Sequence, residues 1–237
     1  MKTQELLMSA ETTTGKNRKV QRNFTLVEIL AVMALMAILL FIALPSFEKL
    51  VKGGGVSIAA RNLTGKLGVA RGYAINNRQY VALLMPDANL PNDYLFRSYK
   101  LCVVTPHTGS TSDFDFSKWI PSENWGFLPT GTAIKHINTV PHSGSADNTG
   151  TFLPSVAHEQ VDGVKLSEIS SPTYNSVDNI RAIVFRPNGK IAGASGQRYV
   201  AVSEATYNGT TLLSTNPKDW IDITIDQYTG RVNYGVE

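Results

Sequence analysis

Apolar side chains follow three regimes along this chain. From Ile29 to Leu44 sixteen of them run without a break. With its flanks, Phe24 to Phe47, the stretch is long enough to form a helix crossing a bilayer core. In the second regime, Val56, Ala60, Leu63, Leu67, Ala70 and Ala74 recur at alternating spacings of four and three. That is the stripe of an amphipathic helix with one narrow apolar face. Arg61, Lys66, Arg71 and Arg78 fall off the stripe and read as a solvated face. Past about Asn77 the period shortens to two, the signature of half-buried strands.

Strands are expected at Tyr80 to Met85 and Tyr94 to Val104, and again from Ile180 to Arg186, Tyr199 to Ala205, Thr210 to Leu213, Trp220 to Asp226 and Arg231 to Tyr234. Turns at Asn188-Gly189, Asn208-Gly209 and Thr229-Gly230 punctuate the later ones, Asn-Gly being the favoured hairpin pair. Residues 105–178 read as a turn-rich insertion, patterned only at Trp125 to Pro129 and Val161 to Ile169. The fold class is therefore α+β: a long N-terminal helix, half membrane-spanning and half amphipathic, packed on an antiparallel β-rich globular domain. The organisation expected is a basic leader over 1–23, the apolar helix over 24–47, the amphipathic continuation over 48–78, and the globular domain over 79–237.

Charge adds orientation. The net charge of +3 resides in the first 23 residues, where Lys2, Lys16, Arg18, Lys19 and Arg22 oppose Glu5 and Glu11. From Phe24 onward acidic and basic residues balance, so no surplus exists to drive binding to nucleic acid, and none is expected as a partner. A basic cluster directly before the apolar run keeps the N-terminus in the cytoplasm and sends the globular domain outside. The apolar run is longer than a secretory signal's and ends in Leu44-Pro45-Ser46-Phe47 without a small-x-small site, so it reads as a retained anchor. Cys102 is the sole cysteine, so no intramolecular disulfide forms, and it reads as a small buried apolar residue.

Within the anchor, Pro45 removes a backbone donor and predicts a bend where the chain leaves the bilayer. Gly53-Gly54-Gly55 reads either as a weak helical section or as a plain flexible linker. Glu28 is the anomaly: a carboxylate beside hydrocarbon costs roughly 2.5–3.5 kcal/mol on insertion scales.

Arg22-Asn23-Phe24-Thr25-Leu26-Val27-Glu28-Ile29-Leu30, the apolar run and Ala43-Leu44-Pro45 together resemble the prepilin cleavage and methylation signal of type IV pilins and type II secretion pseudopilins. The resemblance implies that a membrane-embedded leader peptidase cuts between Asn23 and Phe24 and N-methylates Phe24. The chain departs from the family in having Asn23 where glycine usually precedes the cut. It also implies a partner for Glu28, the freed amine of a neighbouring subunit's Phe24, which would set the register of a helical filament. Ala70-Arg71-Gly72-Tyr73-Ala74-Ile75, Phe127 to Gly131, Val184 to Gly189 and Thr229 to Val232 resemble segments of the GspH/FimT group of minor pseudopilins and minor pilins. The partners implied are other pilin-like subunits, the leader peptidase, inner-membrane lipid and an assembly platform.

Catalytic signatures are missing from the sequence. Gly193-Ala194-Ser195-Gly196 is not a nucleophile elbow, and there is no phosphate-binding loop. His107, His136, His142 and His158 are too irregularly spaced for a metal cluster, and Asp113-Phe114-Asp115 lacks the other ligands of a calcium loop. No catalytic residue, cofactor or metal is expected. Asp222 and Asp226 read as solubilising edge charges. The expected function is a non-enzymatic structural subunit of a type II secretion pseudopilus or type IV pilus, anchored in the inner membrane with its globular domain in the periplasm. The alternative is a membrane-tethered binding module or enzyme using the pilin-like segment only as an anchor.

Overall fold

A computed structural model describes residues 25–110, 112–141, 158–166, 174–193, 196–214, 216 and 219–235, with the backbone alone for 42–53. The chain divides into two compact units, Met1–Ser46 and Phe47–Glu237.

One helix, α1 (Leu26–Asn77), runs through both Pro45 and the triple glycine. Of the two readings of Gly53-Gly54-Gly55, the backbone adopts the helical one, and Gly55 lies close to Thr132, where an added Cβ would meet the threonine methyl at 3.2 Å. The helix ends by a left-handed residue, Arg78 (φ 52°), after which the Gln79 amide reaches back to the Ala74 carbonyl at 3.2 Å. This is the Schellman closure, made here with arginine in the place glycine usually takes. Asn77 adds a side-chain cap, its Nδ2 donating to the Tyr73 carbonyl at 3.0 Å.

Among the described residues eleven strands follow: β1 (Tyr80–Leu84), β2 (Ser98–Pro106), β3 (Asp113–Trp119), β4 (Gly126–Phe127), β5 (Thr132–Asn138), β6 (Glu159–Asp162), β7 (Ile180–Phe185), β8 (Arg198–Tyr207), β9 (Leu212–Ser214), β10 (Trp220–Ile225) and β11 (Val232–Gly235). The described residues of the stretch 105–178, patterned in sequence only at Trp125 to Pro129 and Val161 to Ile169, hold four of them. In the first sheet, β1 pairs with both β2 and β7, β7 with β6, β6 with β3, and β3 with β2. The pairings return to their start, so five strands close into a ring, with β4 appended to β2. All its pairs are antiparallel except β3 with β6. The second sheet runs β11–β10–β8–β5, with β9 on β8.

Ring closure explains why β1 and β7 are buried throughout, apart from a half-exposed Tyr80. Ala82 and Leu84 point inward with Cys102, Val104, Phe114, Val161, Ala182 and Val184. Val81 and Leu83 point outward, into the core that contains the α1 stripe and the inner face of the second sheet, Val200, Val202, Ile221, Ile223 and Ile225. All six stripe positions read from the sequence are at most 1% exposed, and Ala59 joins them. Two of the four off-stripe basic residues are not merely solvated. Lys66 pairs with Glu123 at 2.7 Å, and Arg71 donates from Nε to the Thr229 carbonyl at 2.8 Å.

Candidate functional site

The helix opens at Thr25, whose carbonyl accepts from the Glu28 and Ile29 amides at 3.0 and 3.2 Å while its Oγ1 takes the Glu28 amide at 3.2 Å. Thr25 is therefore the N-cap, and Glu28 occupies the third helical position. Thr25-x-x-Glu28 is a capping-box spacing, a signal the sequence carries beside the motif. Glu28 is the acid of the first turn, exposed and without an ion-pair partner among the described residues. There the unsatisfied amides of the helix start favour a negative charge by about 0.3–1 kcal/mol.

Beyond Glu28 the described side chains stay apolar and exposed on every side. Leu30, Met33, Leu35, Leu39 and Phe41 are each more than 60% exposed, and Val32, Met36, Ile38 and Leu40 at least half so. Among the described residues no helix is long and apolar enough to cross a membrane; the described side chains of the apolar run stop at Phe41, short of its end at Leu44. Asn23 and Phe24 lie outside the described residues, as does the side chain of Pro45, whose backbone is helical.

Residues 18–44 match the model of the prokaryotic N-terminal methylation motif. The chain carries that motif. The matched span contains Asn23, Phe24, Glu28 and the described apolar turns, so motif, cap and exposed apolar surface coincide on one segment. Solved structures similar to the chain include the minor pseudopilin EpsH of the Vibrio cholerae type 2 secretion system, at 13% identity and a TM-score of 0.38, covering 76% of this chain and 95% of that one. Another is the type IV minor pilin FimU of Pseudomonas aeruginosa, at 13% identity and a TM-score of 0.35, covering 77% and 87%. No curated protein matches the chain.

Elsewhere the titratable groups are spread out. His107 is exposed and hydrogen-bonded to Asp115 at 3.1 Å, which raises its pKa; His136 is buried in β5; His142 lies outside the described residues. Among the described residues no three His, Cys, Asp or Glu side chains gather to hold a metal. Cys102 is buried in β2, and burial pushes its thiol well above the ordinary range, which leaves it inert. Asp226 is not an edge charge but a turn former. Its Oδ1 accepts from the Tyr228 and Thr229 amides at 3.1 and 2.7 Å and from the Thr229 hydroxyl at 2.7 Å, which holds its pKa down.

One buried ionic group had no sequence signal. Glu159 of β6, 1% exposed, accepts from Arg198 of β8, 2% exposed, at 3.3 Å and from the Val184 amide at 3.3 Å. Gly193 (φ 84°) lies directly against the carboxylate, and a Cβ there would collide with Oε1.

Proposed function

We propose that the chain is a non-enzymatic pilin-type subunit, inserted in the inner membrane by its N-terminal helix and assembled through that helix into a type II secretion pseudopilus or type IV pilus. The single observation that carries this reading is the methylation motif over 18–44, set on a helix whose described turns expose apolar side chains on all sides around one capped acid. Leader removal between Asn23 and Phe24 frees an amine, and Glu28 of a neighbouring subunit supplies its counter-charge. A carboxylate near hydrocarbon is tolerable once paired in this way. Pro45 then bends the helix outward. The partners are other pilin-like subunits, the leader peptidase, inner-membrane lipid and the assembly platform.

The intact mass of the membrane-extracted protein tests this directly. Loss of residues 1–23 with gain of one methyl group is expected. An unprocessed chain in a cell whose other prepilins are processed overturns the reading.

A further inference from the structure

Two turns meet beside the last turns of α1 and gather charge there. The first follows β7, where the Arg186 amide donates to the Lys190 carbonyl and the Gly189 amide to the Arg186 carbonyl, both at 2.8 Å. The second joins β10 to β11, where the Asp226 amide donates to the Arg231 carbonyl at 2.9 Å and the Gly230 amide to the Asp226 carbonyl at 2.8 Å. The two turns touch. The Ile191 amide reaches the Gln227 carbonyl at 3.4 Å, and a Cβ on Gly230 would collide with the Gly189 carbonyl. Arg71 of α1 lies against both glycines and donates from Nε to the Thr229 carbonyl at 2.8 Å.

Four cations therefore converge on one corner: Arg71 from the helix, Arg186 and Lys190 at the ends of the first turn, and Arg231 in the second. Arg186, Lys190 and Arg231 are exposed, and none of the four has an ion-pair partner among the described residues. The acid of these turns, Asp226, uses Oδ1 to hold the Tyr228 and Thr229 amides and the Thr229 hydroxyl. A local surplus of positive charge is left on a body whose total from Phe24 onward is neutral.

Apolar groups stand among the cations. Tyr228 is 69% exposed, with the Lys190 ammonium 5.9 Å from its ring centre, and Ile75, one helical turn after Arg71, is 39% exposed and packs on Gly189. Arginine beside an exposed tyrosine is the composition that protein interfaces concentrate. Guanidinium forks also match carboxylates two bonds at a time. Duplex DNA fits less well, because proteins held by its backbone commonly contact about six to ten phosphates, and a neutral body gives no long-range pull. Segments that bind anionic lipid are runs of neighbouring Lys and Arg, whereas these cations come from three separate elements.

We propose that this corner is a docking surface for a protein partner that presents clustered Asp and Glu carboxylates, received by Arg71, Arg186, Lys190 and Arg231 around Tyr228. The two glycine contacts fix the spacing of the cations, so the partner meets a preformed array and orders only its own side chains. The surface lies within the globular unit and does not depend on how the N-terminal helix is processed.

Fluorescence anisotropy on the full detergent-solubilised chain tests this with a labelled twelve-residue peptide of glutamates around one leucine. Binding is expected, and Arg186→Glu combined with Lys190→Glu should weaken it by about tenfold or more, since like charges then face each other across the contact. Arg231→Gln, which only removes a charge, should weaken it by roughly two- to fivefold. Arg61→Glu makes the same kind of charge change on α1 away from the turns and should leave the affinity unchanged. Absence of binding, or an equal loss in Arg61→Glu, overturns the proposal. So does tighter binding, lost in the same turn variants, of a twelve-nucleotide single-stranded DNA or of phosphatidylglycerol vesicles.

Discussion

The two ends of α1 use apolar residues in opposite ways. From Leu26 to Phe41 they cover the whole circumference and face outward. From Val56 to Ala74 one stripe of them is completely covered by strands of both sheets, while Ile58 and Val69 off the stripe stay half exposed. The first pattern is left uncovered by the described residues. The second is satisfied internally. The lesson is that helix propensity is common to both ends, while circumference decides whether a helix serves its own domain or something outside it.

Four substitutions sharpen that contrast. The largest effect is expected from Glu28→Val, which leaves membrane insertion intact and lowers co-purification with other pilin-like subunits by roughly tenfold or more, the scale of a lost charge-assisted contact. Cross-linking along the helix measures it, and normal incorporation of the variant would remove Glu28 from the assembly role. Next, Leu63→Ala should destabilise the globular unit by about 2–5 kcal/mol in denaturant unfolding, since Leu63 is fully buried beneath both sheets. Leu35→Ala, at 62% exposure, should change the same transition by less than about 0.5 kcal/mol. Similar losses from both would break the distinction. The smallest effect belongs to Thr25→Ala, which removes the N-cap oxygen at a cost of about 1 kcal/mol. Faster amide exchange at Glu28 and Ile29, with the globular unit unchanged, is the expected result.

Much of this architecture can be read from periodicity. The buried stripe of α1 lies where its spacing of three and four puts it, β10 where its apolar and polar residues alternate, and β7 where a short apolar run ends at the Asn188-Gly189 turn. Three of the four described strands within 105–178 were hidden for separate physical reasons. In β3, Asp113-Phe114-Asp115-Phe116 does alternate, but over too few residues to stand out among the surrounding turn formers. In β5 a bulge between Ile134 and His136 shifts the register, and Lys135 and His136 are buried where the pattern would place apolar groups. β6 offers only Glu-Gln-Val-Asp, and its inward Glu159 finds its partner in a strand far along the chain. A tertiary partner leaves no mark on local sequence. For the site, the motif around Glu28 was legible from the residues, and the cap at Thr25 required only the spacing to the acid.

The closed ring has a kinetic consequence. Its seam between β1 and β7 joins Val81 to Phe185, and β6 must be in place before the circle is complete. Contacts so distant in sequence form slowly, because the intervening chain must be ordered first. Until β7 has emerged, β1 and β2 together carry two oily faces and open edges, an invitation to pair with the wrong chain. Whatever delivers this polypeptide must therefore shelter its first strands while the later half is still being made.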